Sequence, residues 1–491
     1  MANLNQWNRV LAVSWVLVAM VIASDAQILT TLANTPGDAL FMSLTQGLDG
    51  NFYGVTQSSG LYGYGTIFSV TPQGQVTTLY SFCSQQGCSD GDEPIGTLLL
   101  QSDNGGFYGT TFGGGSDNNG GTIFEISPAG AFKTIHRFCE DGNGCPDGDQ
   151  PYDGLIQSAT GDFYGTTYGG GAIGEAAGTV FKISPKGVLT TVHVFEINQG
   201  GYEPIGGLLQ STDGNLYGTT SGGGPRRFDC GNGCGTIYQL TAGGRFRTVH
   251  QFQGFQGTGD GSTPRAGLTQ ALDGSFYGAT SQGGDLSCTF GGDVGCGTIF
   301  QLAPDGTLTI LHTFEGTDGS AADMAPIQAT DGNIYGTTNL GGAGLDCQNG
   351  YDGCGTIYQI TSNGEFTKLY DFCTQGGQDC PDGWLPNGLI QGTDGKFYGT
   401  TTTTVFSLDM GLGPFVAFVR PFGTIGKTVG VLGQGFTGTT AVSVSGIPAS
   451  FTVKSDTFLE ATVPAGATTG YVTVITPSGT LTSNVPFHVI P

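Results

Sequence analysis

Short runs in which apolar and polar positions alternate fill the chain from residue 27 onward. Thr190-Thr191-Val192-His193-Val194-Phe195 is one such run, and its period is that of a strand with one face turned inward. Asp213-Gly214 has the chemistry of a two-residue hairpin. Ser184-Pro185-Lys186-Gly187 supplies another tight turn. Between such turns the pattern predicts four strands in a row. Strand a resembles Gly206-Gly207-Leu208-Leu209-Gln210, strand b carries Tyr-Gly-Thr-Thr, strand c carries Gly-Thr-Ile-Tyr, and strand d is the alternating run ending at Phe.

This unit recurs. Strand b is announced seven times, at Asn51-Phe52-Tyr53-Gly54, Gly106-Phe107-Tyr108-Gly109, Asp162-Phe163-Tyr164-Gly165, Asn215-Leu216-Tyr217-Gly218, Ser275-Phe276-Tyr277-Gly278, Asn333-Ile334-Tyr335-Gly336 and Lys396-Phe397-Tyr398-Gly399, at intervals of 53 to 63 residues. Strand c begins at Gly65, Gly121, Gly178, Gly235, Gly297 and Gly355, with a worn copy at Thr404-Val405-Phe406. A four-stranded sheet with two apolar faces needs neighbours on both sides. The expected fold is therefore all-β: a seven-bladed β-propeller over residues 27–410. The seventh copy lacks strand d, and Gln27-Ile28-Leu29-Thr30-Thr31-Leu32 supplies a match. Pairing the two would close the ring and leave no open edge. The a–b and c–d turns then share one face of the disc. The b–c and d–a loops, which carry the length changes, share the other.

The first 26 residues read as a secretory signal. Arg9 precedes an apolar stretch from Val10 to Ile22, and small residues allow cleavage after Ala23 or Ala26. Nothing later is apolar enough to span a bilayer, so no membrane insertion is expected after signal removal. The chain is expected to be secreted, periplasmic or held at the cell surface. Twelve cysteines fit that destination. They fall in six close pairs in the loops of one face: Cys83 with Cys88, Cys139 with Cys145, Cys230 with Cys234, Cys288 with Cys296, Cys347 with Cys354, and Cys373 with Cys380. Their irregular spacing, without a nearby His, favours disulfides over zinc. Ninety glycines with only 11% charged residues could suggest disorder, but 31 Phe and 18 Tyr oppose it. A net charge of −24 repels phosphate backbones, which excludes nucleic acid as a partner.

The repeat Asp-Gly-Asn-Phe-Tyr-Gly-Thr-Thr…Gly-Gly-Gly…Gly-Thr-Ile-Phe…Pro-x-Gly…Leu-Tyr-Ser-Phe resembles the Gloeo-Verruco (GloVer) tandem repeat of exported bacterial proteins. That resemblance implies export and no established activity; varied C-terminal anchors are common in the family, and none is visible before Pro491. More distantly the repeat is similar to the propeller repeats of two-component sensors. Residues 414–491, with Gly433-Gln434-Gly435-Phe436 and Val463-Pro464-Ala465-Gly466, resemble an IPT/TIG domain. Their short strands independently suggest an immunoglobulin-like β-sandwich.

Candidate chemistry is sparse. His136, His193, His250 and His312 occupy one strand-d position that Tyr80 and Tyr370 fill elsewhere; such a slot reads as packing. The Gly-rich runs at 113–115, 169–171 and 222–224 lack the Gly-Lys-Ser/Thr that phosphate binding needs. Asp49, Asp213, Asp273, Asp331 and Asp394 belong to hairpin turns. Asp90, Asp92, Asp147 and Asp149, in two d–a loops, offer clustered carboxylates of the kind calcium takes, though solvated turns are the plainer account. No other cofactor is implied. Trp384, Tyr202, Arg226 and Arg227 lie on the cysteine-bearing face and are candidates for ligand contact. No catalytic constellation is assignable, so a non-enzymatic partner-binding role is expected, toward an extracellular glycan, cell-wall polymer or protein. The alternatives are a glycan-active hydrolase or lyase, or a structural or sensor-like module.

Overall fold

The computed structural model describes residues 28–490 except 41, 101–104, 141–143, 159, 172–175, 198–199, 225–229, 231–232, 242, 255–258, 286, 291–292, 345–346, 348–352 and 375–379. The signal segment thus lies outside the described residues. The chain is all-β with a propeller-like repeat; among the described residues the one helical turn is Gln86–Cys88. No helix among them is long and apolar enough to cross a membrane.

Seven successive antiparallel sheets follow the a-b-c-d order read from the repeat. The first is Thr45–Gln46, Phe52–Thr56, Thr66–Val70 and Val76–Ser81. The seventh is Leu389–Gln391, Phe397–Thr400 and Thr404–Asp409, with Ile28–Asn34 as its fourth strand. Ile28 stands opposite Asp409, and Asn34 opposite Thr404. The N-terminal strand therefore covers the edge that the seventh copy leaves bare.

The repeat phrase has a physical reading. In five copies the turn aspartate accepts the backbone N–H two residues on, and in four of these also the Tyr hydroxyl four residues on, as Asp49 does from Tyr53 at 2.9 Å, Asp331 from Tyr335 at 2.8 Å and Asp394 from Tyr398 at 2.7 Å. The following Gly must lack a side chain because the strand-c ring lies over it. A Cβ on Gly165 would stand 2.5 Å from Phe181, and one on Gly278 would stand 2.5 Å from Phe300. The last Thr of strand b meets the Thr of strand c in a buried hydroxyl pair, from Thr56–Thr66 at 2.7 Å through Thr338–Thr356 at 2.8 Å to Thr401–Thr404 at 2.9 Å.

Two strand-c rings are tyrosines, and the hydroxyls of Tyr238 and Tyr358 are buried without a partner. Removing one partner of a buried pair orphans the other. Thr338→Val is therefore expected to lower stability by about 1–3 kcal/mol, whereas Tyr358→Phe should be neutral or stabilising. Denaturant midpoints of the two variants check both signs.

Consecutive sheets pack through aromatic pairs. The strand-b Tyr of one sheet meets the strand-b aromatic of the next: Tyr53–Phe107 at 4.2 Å, Tyr108–Phe163 at 4.4 Å, Tyr217–Phe276 at 4.4 Å, Tyr335–Phe397 at 4.4 Å. Tyr398 of the seventh sheet makes the same contact with Phe52 of the first, at 4.0 Å.

All six cysteine pairs are disulfide-bonded, as an oxidising extracellular environment allows. In the d–a loops Cys83 is joined to Cys88, Cys139 to Cys145, and Cys373 to Cys380. In the b–c loops Cys230 is joined to Cys234, Cys288 to Cys296, and Cys347 to Cys354. Cys234, Cys296 and Cys354 each stand just before the strand-c Gly and are fully buried, so these three bridges tie the tip of a b–c loop to the sheet itself.

After residue 412 two further four-stranded antiparallel sheets enclose a core built from Val416, Val431, Phe436, Val444, Leu459, Val474 and Phe487. This unit rests on the a–b turn side. Thr457 Oγ1 donates to the Leu48 carbonyl at 2.8 Å, Gln434 donates to Thr393 Oγ1 at 2.9 Å, and Leu432 and Phe458 join the core of the first sheets. Among the described residues the face bearing the disulfides is left clear of it.

Candidate functional site

The d–a loops are built alike. Each carries its chain from the outer strand of one sheet to the inner strand of the next through a residue with φ near +50°: Glu93, Gln150, Glu203, Thr263, Ala321 and Leu385. Each such residue donates its backbone N–H to the preceding sheet, as Glu203 does to the Ala177 carbonyl at 2.8 Å. In five loops a proline follows, seated where a Cβ of the strand-c Gly would fall: Pro94 on Gly65, Pro151 on Gly121, Pro204 on Gly178, Pro264 on Gly235 and Pro386 on Gly355. The scaffold is constant, and the residue after it is not. Ile95, Tyr152, Ile205, Arg265, Asp323 and Asn387 stand at this one position.

Tyr152, Ile205 and Arg265 line two connected spaces. The wider, of about 570 Å3, opens on the disulfide-bearing side and is walled by Phe112, Tyr152, Tyr168 and Tyr202. Phe112 meets Tyr152 edge to face at 5.9 Å, and Tyr152 lies 6.3 Å from Tyr168. Glu203 is fixed from two sides, by the Tyr168 hydroxyl at 3.1 Å and Ser221 Oγ at 3.0 Å. Arg265 is exposed and, among the described residues, is the one Lys or Arg lining this space. Burial raises the Tyr152 and Tyr168 hydroxyls above their ordinary pKa, with Glu203 adding to the effect on Tyr168.

The narrower space, of about 280 Å3, lies among the inner strands and is lined by Tyr152, Asp153, Arg265, Asp323 and backbone of sheets one to six. Asp153 touches this channel but sits deep among the sheets. It accepts backbone N–H groups from Thr97, Gly154 and Gly207, so one carboxylate bridges three consecutive sheets. Burial nevertheless dominates and pushes its pKa up to about 6. Asp323 accepts the Ser281 hydroxyl.

Of the residues singled out from the sequence, Tyr202 is in the aromatic wall, its ring lying over Gly222. Trp384 is not. It stands at the loop position equivalent to Tyr202 but packs onto the cluster containing Cys347, Cys354 and Cys373. Arg226 and Arg227 lie outside the described residues. Tyr152, Asp153, Arg265 and Asp323 were missed; their signal was a position varying in size and charge between repeated neighbours.

Two of the four aspartates offered for calcium have donors within their own loops. The Asp90 carboxylate accepts from the Tyr80 hydroxyl at 2.7 Å, from the Ser84 N–H and hydroxyl, and from the Gln85 N–H. Asp147 bonds His136 Nε2 at 3.0 Å and the Cys139 N–H at 3.2 Å. Asp92 and Asp149 stand at the loop position of Tyr202, and burial raises both, Asp92 to about 6. Among the described residues only Cys354, Cys373 and Cys380 bring three ligand-type atoms within 4.8 Å of one another, and all three are disulfide-bonded.

The same bonds revise the strand-d slot, which does more than pack. His136–Asp147, His250–Asp260 and His312–Asp318 pair at 2.7 to 3.0 Å, and Tyr370 donates to Asp382 at 2.8 Å. His and Tyr interchange because both reach the loop carboxylate. His193 is the exception. Gly200 stands where the other loops carry Asp, His193 Nε2 is buried without a partner, and burial lowers its pKa to about 4. A folded pKa below the unfolded value means its contribution is present at neutral pH and is lost as pH falls from 6.5 toward 4. His193→Phe, which keeps the stacking on Phe246, is therefore expected to match the parent at pH 8 and to gain about 1–2 kcal/mol at pH 5. Urea titrations at the two pH values check this.

The Gloeobacter/Verrucomicrobia repeat model matches residues 40–290 and 286–412. The chain belongs to that repeat family. No curated protein matches this Gloeobacter/Verrucomicrobia repeat protein in sequence. Among solved structures it is similar to a fungal alcohol oxidase of the AA5 family in complex with copper, at 12% identity and TM-score 0.53, over 94% of this chain and 99% of that one. It is also similar to streptogramin B lyase, at 14% identity and TM-score 0.49, over 79% and 99%. A gluconolactonase from Xanthomonas campestris matches at 10% identity and TM-score 0.38, over 78% and 99%. At such identities the likeness concerns the fold alone.

Proposed function

We propose that this repeat protein is an exported, non-enzymatic binding module. In this reading its seven sheets form a closed seven-bladed propeller, and residues 414–491 form an immunoglobulin-like IPT/TIG unit on the opposite face. The ligand is an extracellular glycan held at the mouth of the central channel. The observation that carries the reading is the cavity of about 570 Å3 walled by Phe112, Tyr152, Tyr168 and Tyr202. Rings present flat apolar faces to the C–H faces of sugars, while Glu203, Arg265 and Gln282 offer planar hydrogen-bonding groups to hydroxyls. Disulfides in the surrounding loops lower the ordering cost of binding. The test is calorimetric titration of cell-wall and plant-type oligosaccharides, with reducing-sugar release measured in parallel. Saturable binding without turnover is expected, and Tyr152→Ala should weaken it by about 2 kcal/mol. Turnover, or binding untouched by Tyr152→Ala, overturns the reading.

A further inference from the structure

The charge and the rings at the channel mouth together specify more than a sugar. Among the described residues the carboxylates of Glu203 and Asp323 line the two connected spaces against one guanidinium, Arg265, while Asp153 is held by backbone N–H groups deeper among the sheets. With Glu203, Asp323 and Arg265 ionised the local balance is one negative charge. The donors fixing Glu203, the Tyr168 hydroxyl and Ser221 Oγ, are neutral. They orient the carboxylate without cancelling its charge. Phe112 stands 5.9 Å from Tyr152, edge to face, Tyr152 stands 6.3 Å from Tyr168, and all three line the same cavity. Ring faces carry negative electrostatic potential, and a cation within about 6 Å of a centroid is attracted to it. The chain as a whole carries −24, which draws cations toward the opening and repels anions. The loop positions beside Glu203 on the neighbouring sheets, Asp92, Glu93 and Asp149, add to the same field.

We infer that the ligand is a glycan bearing free amino groups, whose ammonium sits among Phe112, Tyr152 and Tyr168 with Glu203 as its counter-ion. The inference rests on the mouth reading above and narrows it. An uncharged sugar would stack on the same rings but would leave Glu203 without an opposite charge. Among the described residues a uronic acid would find only Arg265 in its favour, against Glu203 and Asp323. Arg265, on the loop next to that of Glu203, is left to hydrogen-bond ring hydroxyls.

The test compares tetramers of glucosamine, N-acetylglucosamine and glucose, with identical linkage, by calorimetry on the full chain. The glucosamine tetramer is expected to bind about tenfold tighter than the other two, with the advantage disappearing in high salt. Glu203→Gln keeps an acceptor for Tyr168 and Ser221 and should collapse that preference. Equal or tighter binding of the acetylated or glucose tetramer overturns the amino-group inference while leaving the mouth a glycan site. Binding of none of the three overturns both.

Discussion

A chain lacking residues 28–34 is expected to lose about 5 kcal/mol of stability and to self-associate. Those residues make the whole ladder to Thr404–Asp409. Without them the seventh sheet ends in a bare strand whose residues Thr404 to Leu408 are buried in the intact protein. Six paired residues at about 1 kcal/mol per backbone bond set the scale, and an unpaired edge recruits other chains. Thermal unfolding and light scattering of the truncated chain measure both effects. Thr30→Cys with Ser407→Cys provides the converse, because these residues are partners in the register. A bridge there closes nearly the whole repeat region, where chain entropy predicts about 6 kcal/mol of stabilisation. The gain should vanish on selective reduction. A truncated protein that stays monomeric with an unchanged melting temperature refutes closure by this strand.

Asp153→Leu is expected to cost about 3–5 kcal/mol, because it strands three N–H groups contributed by three different sheets. Asp153→Asn keeps the shape and removes the charge, and so isolates the pH response. The folded pKa of about 6 lies above the ordinary 3.8, so the folded protein holds this proton more tightly than the unfolded chain. Stability from this group is therefore largest at acid pH and declines as pH rises from 4 to 6. The parent should gain on the Asn variant as pH is lowered from 7 to 4. Parallel melting curves that show a constant gap across that range contradict the assignment of Asp153 as a buried, partly protonated carboxyl.

How far the site could be read in advance depended on what each residue answers to. The turn aspartates, the Tyr-Gly of strand b and the Thr of strand c repeat because each satisfies a contact inside its own sheet, and such contacts leave a periodic trace. Tyr202 stood out as an aromatic in a loop. Trp384 did so equally, yet its ring is drawn onto Cys380 and the neighbouring core, a choice made by local packing that spacing does not encode. The strand-d histidines were read as filling because they interchange with Tyr. Their partner aspartates lie 6 to 11 residues away across a loop whose path only the fold supplies.

The sequence alone determined the strand order within each repeat, the number of copies, the cysteine partners and the source of the missing edge strand. All of these rest on contacts between residues near in the chain or on a period that repeats. Cys139 with Cys145, Cys230 with Cys234 and Cys288 with Cys296 are separated by 6, 4 and 8 residues, so no other cysteine lies as close to either member. Tertiary structure decided which loop positions converge. Tyr152, Ile205 and Arg265 come from three sheets and share one cavity, and Asp153 joins sheets two, three and four. Residues about 50 to 60 apart meet there because each inner strand is turned toward the same axis, a geometry that belongs to the packed sheets and to no single segment.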